Sequence, residues 1–314
     1  MPPRRQARIL LVVKRTALER MSERDRRQLI RAHVFDEAQL LAAHRQHHST
    51  VDQVRSAIGK HLVHECWVGD CTPEDIAGAD CIVSVGGDGT VFGIHAWMHP
   101  GQRLLAVNSD PRHSVGHFTR CSVAQVQPTL DAYHKGREQL EHFPRLQVTI
   151  HGPDGQVSGQ GPYPIINDCL FTNKNPAAMT RYQISEDQEA SELHNSSGVW
   201  IATAAGATAA IASAGFHHSC HPCQPALLYQ VREPFHTRVS RDRVQRSDGN
   251  NADDLRLTRG VQMPPHCLRL TAAAPGMRLY LDGAHSTIPV GAGHSAVFAP
   301  YAEALTCLLP VVKA

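Results

Sequence analysis

Ten residues in the first third of the chain combine the types that handle phosphate. Cys81 to Thr90 reads CIVSVGGDGT, a compact apolar run that opens through glycines into the apolar stretch VFGIHAWM. A strand turning through glycines into a helix N-terminus presents backbone N–H groups and the positive end of the helix dipole. Glycine also lets a phosphate approach the main chain. Asp88 inside that turn carries the same sign as phosphate and would repel it. Its presence points to work on a hydroxyl, or to a magnesium ion held between phosphates. Gly-Gly-Asp-Gly is also ordinary turn composition, but the strand before it and the helix after it favour the anion site. Other phosphate devices fail: Gly59-Lys60 lacks the earlier glycine of a P-loop and is followed by His61. No G-x-G-x-x-G follows a strand-like run, and no G-x-S-x-G elbow supports a serine hydrolase.

Histidine is the second chemical signal. There are 21, against 17 Phe, Trp and Tyr together. The densest group is His217, His218, Cys220, His221 and Cys223, spelling HHSCHPC. A Cys-x-x-Cys with neighbouring histidines can hold zinc. Here no second ligand pair follows at finger distance, so a His-rich loop is the better reading and no metal is assigned. His95, His99, His113 and His117 flank the phosphate turn, where packing or surface roles outweigh nucleotide contacts. Arg112, Arg120 and Arg181 could fork onto phosphates, without an assignment for any of them. Arg232-Glu233-Pro234 reads as a local ion pair at a strand end, and Asp282-Gly283 as a turn.

The elements that must position these residues follow from patterning. Residues 8–13, Ala79 to Val85 and Arg103 to Asn108 are short apolar runs of the kind buried in parallel sheets, and residues 17–62 have helical spacing. Strand–helix alternation over the first 125 or so residues implies a parallel α/β sheet. After residue 140, short alternating segments separated by Gly, Pro and Asp predict antiparallel β structure, a sandwich. The expected division is 1–127 for an α/β nucleotide-binding domain and 128–295 for a β-sandwich domain, with 296–314 packing back on the first. The polar stretch 236–260 reads as a long loop or insertion.

Composition bounds the classes. The chain has 314 residues, 42% hydrophobic, with 31 basic against 29 acidic side chains and a net charge of +2. That supports a sizeable core and argues against nucleic acid as a partner. Nine cysteines without a regular framework point to reduced thiols in a cytoplasmic compartment. The run Ile9–Val13 is too short for a signal peptide. Gly198 to Phe216 has 19 residues without a charge, but eight are alanine, three are glycine and none is leucine. A strand–turn–helix is expected there rather than a membrane span.

Three motifs in order then resemble one family. GGDGT after a buried strand is similar to the kinase superfamily of NAD kinases, diacylglycerol and sphingosine kinases and phosphofructokinases. IINDCLF (Ile165 to Phe171) resembles the Asn-Glu motif of NAD kinases, and SGVWIATAAGATAAIASAG (Ser197 to Gly215) their glycine- and threonine-rich signature. The resemblance covers most of residues 79–290. It implies transfer of the ATP γ-phosphoryl group, with Mg²⁺, to the 2′-hydroxyl of the adenosine ribose of NAD⁺ or NADH. By that likeness Asp88 is the general base or orienting group, and Gly86, Gly87, Gly89 and Thr90 form the phosphate turn. Asn108, Asn167, Asp168 and Ser197 contact the dinucleotide, and Thr203, Gly206, Ala207, Thr208, Ala209 and Ala210 wall its pocket.

The departures carry information. Asp168 replaces the usual Glu, Ser197 an Asp, Ala207 a Ser and Ala210 a Tyr. VNSDP, ATAAG-x-TAA and VREP look like the plant-type NADH kinase branch, which implies a preference for the reduced dinucleotide. Loss of an acid near a positive nicotinamide ring would act in that direction. The alternatives are a lipid kinase sharing GGDGT, which would need an apolar groove that residues 203–210 do not supply, and a non-catalytic nucleotide sensor. The family likeness further implies a homodimer or homotetramer.

Overall fold

Apolar, β-branched segments of five or six residues form the centre of the first unit in the computed structural model. The model describes residues 7–112, 116–159, 161–187, 189, 191–235, 255–284 and 286–312. The chain divides into one unit of Met1–His142 with Leu305–Ala314, and a second of Phe143–Ala304.

In the first unit, β1 (Ile9–Val13), β2 (Leu62–Trp67), β3 (Cys81–Gly86), β4 (Arg103–Asn108), β5 (Leu140–Phe143) and β18 (Leu305–Leu308) form one sheet in the order β2-β1-β3-β4-β18-β5. Pairing is parallel from β2 through β18. β1 and β3 are buried along their whole length. The region expected to be helical, 17–62, is three helices: α1 (Ala17–Arg20), α2 (Glu23–Arg31) and α3 (Glu37–Ile58). The breaks fall where Ser22 and Asp36 turn their side chains onto Asp25 N and Gln39 N, the capping bonds these residue types prefer. α3 buries Val51, Val54 and Ile58, and α6 (Val123–His134) buries Val126, Leu130 and Tyr133, in one core with β1, β3 and β4. Two short helices complete the unit, α4 (Pro73–Ala77) and α5 (Asp88–Phe92).

The boundary therefore lies at residue 142 rather than 127, because α6 and β5 pack with the first sheet. The returning segment starts at 305 rather than 296, because residues 295–300 pair in the second unit. The expectation of reduced thiols is corrected at one pair: Cys66 and Cys71 form a disulfide, and the other seven cysteines are free.

The second unit holds two six-stranded sheets. One is β10 (Glu192–Ser196), β9 (Thr180–Glu186), β14 (Leu268–Ala272), β17 (Ser295–Pro300), β6 (Leu146–His151) and β7 (Tyr163–Ile165), in that order. The other is β13 (Arg259–Gln262), β12 (Leu227–Arg232), β11 (Gly198–Thr203), β8 (Asp168–Asn173), β15 (Met277–Leu281) and β16 (Ser286–Val290). All their pairings are antiparallel. Alternate residues point into a common core, with Tyr182, Ile184, Leu270 and Phe298 from the first sheet and Phe171, Ile201, Tyr229 and Leu279 from the second. This is the sandwich that period-2 patterning predicts. Gly198–Thr203 is a strand, followed by a 3-10 turn and the helix α7 (Ala210–Ser213). No helix among the described residues is long and apolar enough to cross a membrane. Of the 236–260 stretch, residues 236–254 lie outside the described residues, and β13 begins at Arg259.

Candidate active site

In the first unit the register of the parallel strands sets Lys14, Gly86 and Asn108 along one edge. Val13 pairs with Val85, and Gly86 with Asn108. This is the carboxyl edge of the sheet, where open α/β folds bind ligands. Gly86 has no room for a side chain, because a Cβ there would collide with Thr90 Oγ1 and press on Lys14. Gly89 is exposed, with open space where its Cβ would be. Gly87 precedes α5, and Thr90 is buried with its N–H donated to Gly87 O.

Asp88 opens α5, and its carboxylate is a hub. Oδ1 accepts from Phe118 N at 3.0 Å, Thr119 N at 3.0 Å and Thr119 Oγ1 at 3.0 Å, and Oδ2 accepts from His117 N at 2.7 Å. The segment His117–Thr119 thus fixes the carboxylate in one orientation, and Oδ2, with a single donor, keeps accepting capacity. Asn108 Oδ1 accepts from Asp110 N, and Ser109 donates its N–H to Gly86 O. His47 on α3 reaches Ser109 Oγ with Nδ1 at 2.9 Å, and burial pushes its pKa down to about 4. Burial also lowers the pKa of Lys14. Arg120 is spoken for by His117 O and Glu141. His95 is buried, and His113 lies outside the described residues.

A second group forms in the second unit around the start of β8. Asp282-Gly283 forms the turn that was expected, and the Asp282 carboxylate accepts Ile166 N at 3.1 Å, Asn167 N at 2.7 Å and Asp168 N at 3.1 Å. Asn167 Nδ2 in turn donates to Asp168 Oδ2 at 2.9 Å. Thr203 Oγ1 donates to Ile166 O at 2.7 Å and accepts from Gly206 N. Gly206 packs so closely on the Asn167 carbonyl that a Cβ would collide with it. Asp168 is 7% exposed. Burial, reinforced by Asp282, raises its pKa to about 6 against hydrogen bonds from Ala210 N and Asn167.

The structure therefore brings Asn167, Asp168, Thr203, Gly206 and Ala210 together, with Thr208 exposed and Ala209 half-buried beside them. Ala207 is not an exposed wall; it packs with Ala202, Ala204, Ile211 and Leu228. Asn108 belongs to the first unit, beside the Gly86 turn. Ser197 stands apart: it precedes β11, whose far end is Thr203, about 20 Å away at the usual rise per strand residue. It borders Thr172, which donates to Ser197 O.

His217 and His218 are exposed, and Cys220 Sγ donates to Ala204 O. No three of the five HHSCHPC ligands converge. Among the described residues, the convergent group is Glu19, His44 and His48. Sequence reasoning missed both this group and Asp282, for their partners lie far along the chain.

Comparison with known proteins agrees with this picture. The family model for the ATP-NAD kinase N-terminal domain matches residues 8–138. A probable NADH kinase of Oryza sativa subsp. japonica is 28% identical over 292 residues, covering 85% of this chain and 82% of that protein. An NAD kinase of Methanothermobacter thermautotrophicus is 30% identical over 138 residues, 44% of this chain and 45% of that one. The fold is shared with an Archaeoglobus fulgidus NAD kinase solved in complex with ATP (TM-score 0.62, 16% identity, 96% and 94% of the two chains). It is also shared with a yeast NADH kinase complexed with NADH (TM-score 0.65, 14% identity, 98% and 84%). A glycine turn on a parallel sheet, an Asn-Asp pair on an antiparallel one, a matching N-terminal domain model and a rice relative along most of the length agree: the chain resembles the NAD kinases and shares their fold.

Proposed function

We propose that this protein transfers the γ-phosphoryl group of ATP to the 2′-hydroxyl of the adenosine ribose of NAD(H), giving NADP(H). The observation that carries the reading is the Asp88 carboxylate, held at the N-terminus of α5 by His117, Phe118 and Thr119 and flanked by exposed Gly89. Gly89 leaves bare backbone for phosphate to approach, as a nucleotide turn requires. Asp88 Oδ2 orients the acceptor hydroxyl and takes its proton as the new O–P bond forms and the bond to the leaving diphosphate breaks. In the second unit Asn167 and Asp168, their backbone locked by Asp282, are the candidate contacts for the adenine, ribose or diphosphate of the dinucleotide. A divalent cation carried by the nucleotide neutralises the phosphates; no side chain is assigned to it.

Preference for NADH over NAD⁺ is part of the proposal. It is supported by the rice relative and by the likeness of VNSDP, ATAAG-x-TAA and VREP to the plant-type NADH kinase branch, with Ser197 in place of an acid as its electrostatic rationale. A lipid kinase is not favoured, since the family model and the curated relatives are NAD(H) kinases. Cytoplasmic placement and a homodimer or homotetramer complete the reading.

The test uses purified full-length protein with ATP and Mg²⁺. Both NAD⁺ and NADH at matched concentration should gain one phosphate at the 2′ position, with the higher initial rate for NADH. Absence of product with either acceptor, across divalent cations and with polyphosphate as donor, would sink the kinase reading.

A further inference from the structure

Outside the site, three ligand-bearing side chains converge in the first unit. Glu19 ends near the C-terminus of α1, and His44 and His48 sit one turn apart on α3. One ligand atom from each lies within 4.8 Å of the others. Two histidines at i and i+4 share a helix face, the spacing used by helical zinc sites.

The hydrogen bonds assign the donor atoms. Glu19 Oε2 is taken up by the α1 cap, accepting Thr16 N at 2.7 Å and Thr16 Oγ1 at 2.9 Å. That leaves Oε1, which faces His48 Nε2 at 3.0 Å. Thr16 has one hydroxyl proton and gives it to Glu19. Its 2.9 Å contact with His44 Nδ1 must then be donated by the ring. His44 is thereby held in the Nδ1–H tautomer, which makes Nε2 the ring nitrogen with a lone pair to bind a cation. An outer hydroxyl fixing the tautomer of a ligating histidine is the support metal sites require.

We propose that Glu19, His44 and His48 form a binding site for a divalent transition-metal cation of the zinc class. Two imidazoles and one carboxylate suit zinc, with water completing the coordination. The cation replaces the proton now bridging His48 and Glu19, which moves to Nδ1 of the neutral ring or leaves an imidazolium to solvent. Access is open: a groove of about 810 Å³ runs along α3 past His44, His48, Asp52 and Gln127. The site ties α1 to α3, the helix whose His47 contacts Ser109 beside the Gly86 turn. It is distinct from any cation carried by a nucleotide and does not depend on the kinase reading.

The experiment uses metal-stripped, tag-free full-length protein carrying Cys220→Ser, Cys223→Ser and Cys267→Ser, which removes the partly exposed free thiols. Equilibrium dialysis against Zn²⁺ with metal analysis should find one tightly held equivalent. Glu19→Gln and His48→Gln should each raise Kd at least tenfold. Thr16→Val should weaken binding about as much, and Thr16→Ser should restore it. Zn²⁺ affinity unchanged in Glu19→Gln and His48→Gln overturns the proposal. Should the variants fail to fold, diethyl pyrocarbonate mapping of the parent protein decides: His44 and His48 are protected by Zn²⁺, and equal modification with and without metal overturns the assignment.

Discussion

Two carboxylates of the candidate site are held in opposite ways. Asp88 is wrapped by four donors from one segment, whereas Asp168 is buried beside a second acid, Asp282. Replacing Asp88 by Asn turns an N–H toward the His117–Thr119 donors. Asp88→Asn should therefore cost ~1–3 kcal/mol of stability as well as roughly 10²–10⁴-fold in kcat. Urea melts and initial rates separate the two losses, and near-normal turnover in the variant would remove Asp88 from the chemistry. For Asp168 the sign runs the other way from a paired acid. Its folded pKa, about 6, lies above the ordinary 3.8, so protonation favours the folded state. That stability is complete below about pH 4 and lost as pH rises through 6. Asp168→Asn, neutral at every pH, should be ~2 kcal/mol more stable than the parent at pH 8, the gain vanishing near pH 4. Its activity should fall at the same time. In the parent, kcat/KM for the dinucleotide should drop below pH 6 as the acceptor carboxylate protonates. A parent profile flat from pH 5 to 8 would contradict this role.

At the scale of elements, the phosphate turn was legible because everything it needs is contiguous. An apolar run closed by glycine is a buried strand, and the next apolar stretch is the helix. The two glycines that look alike in GGDGT then differ by packing alone. Gly86→Ala drives its Cβ into Thr90 and Lys14, while Gly89→Ala meets nothing. Thermal melts should show Gly86→Ala losing several degrees, on the order of 1–3 kcal/mol for an overpacked site. Gly89→Ala should melt with the parent and yet raise KM for ATP, since its new methyl lies where the proposed kinase reading puts phosphate. Loss of stability in Gly89→Ala, or an unchanged KM, would refute that division. What remained hidden were contacts across long stretches of chain. Asp282 meets Asn167 after 115 residues, and Glu19 meets His48 after 29. Pattern reading sees period and composition, not partners, so Asp282-Gly283 was legible as the turn it is while the three backbone N–H groups its carboxylate holds were not. HHSCHPC drew notice because its ligands are neighbours in sequence, although a His-rich loop was the better reading; only ligands that converge in space can share an ion. The motif from Ser197 to Ala210 runs unbroken in sequence, and the six-residue strand β11 carries its two ends apart.

At the scale of the molecule, the order along the chain and the order of strands in the sheet differ. The first unit is not closed by its first 142 residues: β18, from Leu305 to Leu308, lies between β4 and β5, and Cys307 pairs with Leu104. Leu305 and Leu308 are buried, and Leu309 N donates to Gln139 O. Removing β18 exposes one side of β4 and strips β5 of its neighbour, leaving backbone groups that a buried sheet must pair. The second unit has its own core, which includes Phe171 and Phe298 and draws on no residue of β18. Truncation after Ala304 should therefore destabilise the first unit selectively. Tryptophan reports on each unit by position: Trp67 and Trp97 lie in the first and Trp200 in the second. With Trp67 and Trp97 replaced by Phe, the Trp200 transition in urea should survive truncation with a similar midpoint. With Trp200 replaced instead, the transition of the first unit should move to lower urea or disappear. Equal shifts of both would show one cooperative molecule, and no shift in the first would show β18 to be dispensable.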